Sequence, residues 1–200
     1  FILYAVIYNW ALITIRNNIS ETKLTQMKYH LDTLENEIRR IKWLQYDCLG
    51  DENLKQLATI PESLDPYDYT KAIMRLQQRL IAIANSSEYI RNVKAFIPRI
   101  VRTVNTERSG FESYIDPEEL TAMNTRADPS KALIIYWKNR LFMSVTYPTL
   151  TEGLGKEDSV RLPYYTIAVE LSSDAIARGL EQFNNTEQGG TLLVSSREKF

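Results

Sequence analysis

Residues 1–49 contain neither proline nor glycine, so nothing in the local chemistry stops this stretch from being one helix. Phe1 to Ile15 (FILYAVIYNWALITI) is apolar except for Asn9 and Thr14, and the first charge is Arg16. A membrane-spanning helix needs about 20 such residues. Tyr4, Tyr8 and Trp10 are the aromatic types favoured where a helix leaves a bilayer. Residues 1–15 are therefore expected to be part of a transmembrane helix in contact with lipid, with a buried core helix as the alternative. Beyond Arg16 the apolar positions are Leu24, Met27, Leu31, Leu34, Ile38 and Ile41, then Gln45 and Cys48. These spacings alternate three and four, the seam of a coiled-coil-like helix. A rod from Arg16 to Leu49 would be about 50 Å long, ending at Gly50.

Asp65-Pro66 has the form of a helix start, with the aspartate as N-cap and the proline at the first helical position. The stripe that follows, Tyr69, Ile73, Leu76, Leu80 and Ile83, has the rod's spacing. The two stripes are expected to pack as an antiparallel helical hairpin.

After Asn85-Ser86-Ser87 the pattern turns to strand. Tyr89–Val104 reads as a strand with Pro98 as a break or edge position. Asp116-Pro117 starts a short helix. Ala132–Trp137 and Leu141–Tyr147 flank Lys138-Asn139-Arg140 as a hairpin, and Tyr164–Leu171 is a further strand. Ser172-Ser173-Asp174 caps a helix with Ile176, Leu180 and Phe183 on one face, and Thr191–Ser195 is a last strand.

Composition narrows the function classes. The 24 basic and 25 acidic residues nearly cancel, so no charge excess marks a nucleic-acid partner. His30 and Cys48 are single, which argues against a multi-histidine metal site, a cysteine cluster, an internal disulfide framework and a Ser-His-Asp triad. Neither a Gly-rich phosphate loop nor a nucleophile elbow is present. No cofactor, metal or catalytic residue is expected in this chain, and Cys48, on the seam, reads as a small buried hydrophobe.

An apolar helix, a long rod, a second helix and then a mostly antiparallel sheet together resemble the double Cache sensor modules of bacterial receptors. The likeness is strongest to the extracellular segment of YesM-type sensor histidine kinases. It is carried by LDTLENEIRRIKWLQYDCLGDENL (Leu31–Leu54), by YIRNVKAFIPRIVRTV (Tyr89–Val104), and by Tyr165–Gly190 with the TLLVS that follows. The resemblance implies an α+β fold in which the long helix and helical hairpin pack on a PAS-like antiparallel sheet. Residues 1–15 would be part of the membrane helix and 16–87 the juxtamembrane rod and hairpin. Residues 88–186 would be the distal, ligand-binding Cache unit, and 187–200 the start of a truncated membrane-proximal unit. It further implies a homodimeric receptor at the cell membrane, with this segment outside the cytoplasm and kinase domains elsewhere in the parent. The kinase's phospho-accepting histidine would lie outside this sequence, so His30 is not that residue.

Side-chain alternation separates two faces of the expected sheet. Val93, Ala95, Ile97, Met143, Val145, Tyr147, Ile167, Val169 and Leu171 form an apolar set suited to meeting the helices. Lys94, Phe96, Ser144, Thr146 and Thr166 form a mixed set on the other face, where Cache domains hold small ligands. Tyr136 joins either face, depending on whether the hairpin loop has two or three residues. These six are the candidate ligand residues. Lys94 favours a carboxylated small solute, because an inward-facing lysine needs water or an anionic partner. The competing readings are a solvated sheet face covered by loops, a membrane-anchored interaction or assembly protein, and the same sensor module on a chemoreceptor or diguanylate cyclase.

Overall fold

The computed structural model describes residues 2–107, 112–125, 134–148 and 163–181, with side chains described from Thr25 onward except at Glu112, Thr125, Leu180 and Glu181. Helix α1 runs without a break from Ile2 to Leu49, as the absence of proline and glycine allows. Among the described residues no helix is long and apolar enough to cross a membrane; the side chains of residues 1–15 lie outside that description. The chain divides into two compact units, residues 1–39 with 177–194, and residues 40–176 with 195–200.

In the first unit the described features are helical. Arg39 donates to Glu35 at 2.9 Å one turn earlier, an exposed pair worth roughly 0.3–0.5 kcal/mol. Leu31 is 43% exposed, and Leu34 and Ile38 are half-buried.

The second unit holds the sheet. The chain leaves α1 through Gly50 into α2 (Glu52–Thr59), whose N-cap Asp51 accepts from the Leu54 amide at 3.0 Å. A single turn at Pro61–Ser63 leads to α3 (Pro66–Ala84), capped by Asp65 accepting from the Asp68 amide at 2.8 Å. Both caps satisfy amides that have no partner inside their helix. The Asp65-Pro66 start is where the sequence places it, and Ile73, Leu76, Leu80 and Ile83 are buried. Helix α2 has no counterpart in the sequence reading.

Strands β1 (Ile90–Ile97), β2 (Arg102–Asn105), β3 (Glu112–Tyr114), β4 (Ile135–Trp137), β5 (Arg140–Tyr147) and β6 (Tyr165–Leu171) form one antiparallel sheet. Their order is β3-β2-β1-β6-β5-β4. The fold is thus α+β and consistent with a PAS-like sheet. The first and last of the described strands are neighbours at the centre. The stretch Tyr89–Val104 is two antiparallel strands, and of the two roles expected for Pro98 it takes that of the break. Pro98 starts a 3₁₀ turn, Val101 takes a left-handed conformation (φ 55°), and the chain reverses into β2. Lys138 and Asn139 form a two-residue hairpin loop, both with positive φ (45° and 61°), as a type I′ turn requires. Helix α4 (Pro117–Thr125) starts at Asp116-Pro117 as expected, and α5 (Ser173–Glu181) starts where the Ser172 hydroxyl accepts from the Ala175 amide. The strand expected at Thr191–Ser195 and the start of a second Cache unit at 187–200 lie outside the described residues.

Register places Val93, Ala95, Ile97, Val104, Met143, Val145, Ile167, Val169 and Leu171 on one face. Helix α3 lies against β1 and β2 on this face, and α2 against α3. The last turns of α1 reach the same face. The Gln45 amide donates to the carbonyls of Met143 (2.9 Å) and Ile167 (3.3 Å), and the Tyr165 hydroxyl donates to the carbonyl of Leu49 at 2.8 Å. Arg79 of α3 meets Asp47 at 2.6 Å. The rod's seam is therefore buried at its last three positions, Ile41, Gln45 and Cys48, where the hydrogen bonds run to the sheet and not to the Tyr69–Ile83 stripe expected to cover it. Gln45, a polar seam residue, is buried because the sheet offers it two acceptors.

Burial pushes the Cys48 thiol up to about 11; Arg79 opposes this and Asp51 reinforces it. The native state therefore holds a proton that the unfolded chain releases near its ordinary value of roughly 8.5. Above that value the unfolded state binds fewer protons, so stability falls as pH rises. The contribution is complete below pH ~8.5 and lost towards pH ~11, amounting to roughly 3 kcal/mol. Burial likewise raises Tyr165, to about 12, with the same sign. Denaturant melts of wild type and Cys48→Ala at pH 8 to 11 are expected to show a shallower loss in the variant. Parallel curves would contradict a buried, protonated thiol.

Candidate functional site

The opposite face carries Lys94 and Phe96 on β1, Thr166 and Ala168 on β6, and Phe142, Ser144 and Thr146 on β5. The register pairs Lys94 and Ser144 with Ala168, and Phe96 and Thr146 with Thr166. Helix α4 covers this face, packed against β5 and β6. Its Leu120 and Met123 join Phe96, Ile135, Phe142 and Ala168 in one buried cluster, flanked by Ile115, Ala122 and Trp137. A nine-residue helix gains little by itself, so its place depends on this contact and on polar ties to the strands.

Those ties use most of the candidate residues. Lys94 Nζ donates to Glu119 Oε1 at 2.8 Å, and both side chains are largely buried. Ser144 Oγ donates to the Met123 carbonyl at 2.8 Å, and Thr166 Oγ1 donates to Asn124 Oδ1 at 2.7 Å. At the hairpin, Lys138 meets Glu118 at 3.0 Å. Arg140 lies 4.0 Å from Glu119 Oε1 and 3.3 Å from Glu170, and Arg91 lies 3.7 Å from Glu170. Two cations from different strands thus approach one carboxylate oxygen on α4. Thr146 is buried beside Thr166.

Tyr136 falls elsewhere. The two-residue loop pairs it with Leu141 on the opposite face, where it is 61% exposed and its hydroxyl donates to Asn139 Oδ1 at 2.7 Å. The structure therefore brings Lys94, Phe96, Ser144, Thr146 and Thr166 together and leaves Tyr136 apart.

Sequence reasoning missed Glu119, Asn124, Arg140, Glu170, Asn92 and Thr103. Asn92 Oδ1 accepts from the Thr106 hydroxyl at 2.6 Å, and its amide donates to Glu107 at 2.9 Å. Glu119 reads in sequence as one of several acids at a helix start. Its position one residue before Leu120 and four before Met123 is the only signal that it shares their buried face, and nine residues are too few for a periodicity argument. Thr103, paired with Phe96 and Ser113, is 4% exposed, and its hydroxyl has no hydrogen-bond partner among the described residues.

Among the described residues no group of three or more histidines, cysteines or acids is placed to hold a metal ion. No family model matches the chain, and no curated protein is significantly similar to it.

Proposed function

We propose that this chain is the extracytoplasmic ligand-sensing segment of a bacterial two-component sensor histidine kinase. It binds a small carboxylated solute on the mixed face of the sheet. The observation that carries this reading is the approach of Lys94 and Arg140 to the Glu119 carboxylate under α4. That position accepts a carboxylate, and a ligand's acidic group can take the place of Glu119 there. Ser144 and Thr166, now donating to α4, are hydroxyls able to orient the solute. Ligand and α4 then compete for the same donors, which supplies the two states that sensing needs. Residues 1–15 anchor the segment in lipid, the parent receptor is a homodimer, and this chain performs no catalysis itself. The same module also fits a chemoreceptor or diguanylate cyclase.

Titrating the full chain with a panel of small mono- and dicarboxylates should raise its Tm, by the equivalent of about 2.7 kcal/mol at 100 times Kd. The rise should vanish in the paired variant Lys94→Met, Glu119→Leu, which removes both buried charges together. Equal shifts in both proteins would remove Lys94 from the site, and no shift with any member would sink the sensor reading.

The exposed aromatics of α1, Tyr29 (69%) and Trp43 (70%), favour a second reading, a membrane-anchored interaction or assembly protein. Association abolished by Trp43→Ala, with no response to carboxylates, would select it.

A further inference from the structure

We infer that Thr103 forms a second polar subsite on the mixed face, one that takes a hydroxyl of the solute whose carboxylate sits at Lys94. This rests on the sensor reading above.

The Thr103 hydroxyl is buried with no partner among the described residues. Buried hydroxyls are nearly always paired, and leaving one unmet is costly. The other polar side chains of this face do not share its condition. Lys94, Ser144, Thr166 and Asn92 each have a partner. Thr103 lies on β2 between Phe96 of β1 and Ser113 of β3, on the same face as all of them. Its neighbour Asn105 is directly opposite Lys94, so Thr103 and Lys94 are diagonal neighbours across one strand pair. Such positions are about 7–8 Å apart. Phe96, directly opposite Thr103, is itself fully buried with Leu120 and Met123 of α4, so the solute reaches Thr103 only as it takes the place of α4. A small acid with a hydroxyl on an apolar or aromatic spacer would meet Lys94 and Thr103 together.

The test uses the full chain and two ligand pairs that differ by one hydroxyl, 4-hydroxyphenylacetate with phenylacetate and 6-hydroxyhexanoate with hexanoate. Wild type is expected to bind the hydroxylated member of each pair about 5–10-fold more tightly, the worth of one hydrogen bond. Thr103→Val should abolish that preference and Thr103→Ser should keep it. Without ligand, Thr103→Val should also raise Tm by about 2–4 °C, because an unmet buried hydroxyl is replaced by a methyl of the same shape. A lower or unchanged Tm in Thr103→Val would mean the hydroxyl has a partner such as an ordered water, and would overturn the subsite. Equal binding within both pairs overturns the subsite while leaving the carboxylate site at Lys94 standing. No binding by any of the four acids overturns the subsite, while the sensor reading falls only if the wider carboxylate panel also gives no shift in Tm.

Discussion

Lys94→Ala is expected to lower the unfolding free energy by about 3–5 kcal/mol, the range for breaking a buried ion pair at one end. The cost comes from Glu119. That carboxylate is 7% exposed, and its remaining cation in this group of ion pairs, Arg140, stands 4.0 Å away. Removing the ammonium therefore leaves a buried charge poorly compensated. The paired change Lys94→Met, Glu119→Leu should recover most of the loss, because apolar groups of similar volume carry no desolvation penalty. Urea unfolding of wild type, both single variants and the pair forms a double-mutant cycle whose coupling term measures the interaction. A single variant within about 0.5 kcal/mol of wild type, the range of surface substitutions, would mean that the pair is open to water. A pair as unstable as the worse single variant would mean that the damage is packing and not charge. The result also bears on function: loss of ligand response in Lys94→Ala alone cannot be separated from loss of α4, and only the paired variant reads the site.

Phe96→Ala is expected to cost about 3–5 kcal/mol, which lowers Tm by roughly 10 °C in a chain of this size. Phe96 is fully buried against Leu120 and Met123 of α4 and Ile135, Phe142 and Ala168 of the sheet. Truncating it opens a cavity and weakens the contact that keeps the short helix in place. If the ring lined an open pocket, the change would remove little buried surface and cost correspondingly little. Leu31→Ala, on the exposed part of the rod, is the control and should stay within about 0.5 kcal/mol. A Phe96→Ala variant as stable as that control would show that α4 is not seated on the sheet.

These two expectations mark where sequence reasoning reached and where it stopped. Alternation along β1, β5 and β6 sorted the residues of the two faces correctly, because a strand's side-chain period is two whatever its neighbours are. The caps at Asp65, Asp116 and Ser172 were legible because an N-cap is a local interaction between a side chain and amides two or three residues on. The turn at Lys138-Asn139 was placed, but its length was not, and that one residue decided which face Tyr136 joins.

The candidate site was half legible. Parity found Lys94, Phe96, Ser144, Thr146 and Thr166, while their partners are set by contacts distant in sequence. Glu119 is 25 residues from Lys94, and Asn124 is 42 from Thr166. No local pattern says which acid of Glu118-Glu119 turns inward. The seam from Leu24 to Cys48 is periodic throughout, yet periodicity states only that a face is apolar. The sheet decides burial at Ile41, Gln45 and Cys48, because there the helix meets carbonyls and aliphatic side chains it can satisfy.

By itself, then, the sequence determined the continuous α1 helix, the helix starts and the two faces of each strand, all consequences of backbone and side-chain chemistry within a few residues. Tertiary structure alone decided the pairing of β1 with β6, the seating of α4 on the mixed face, the pairing of Lys94 with Glu119 and the burial of a Thr103 hydroxyl with no partner among the described residues. Each of these depends on which distant groups share a low-dielectric interior, where an unpaired charge or hydroxyl costs far more than it does in water.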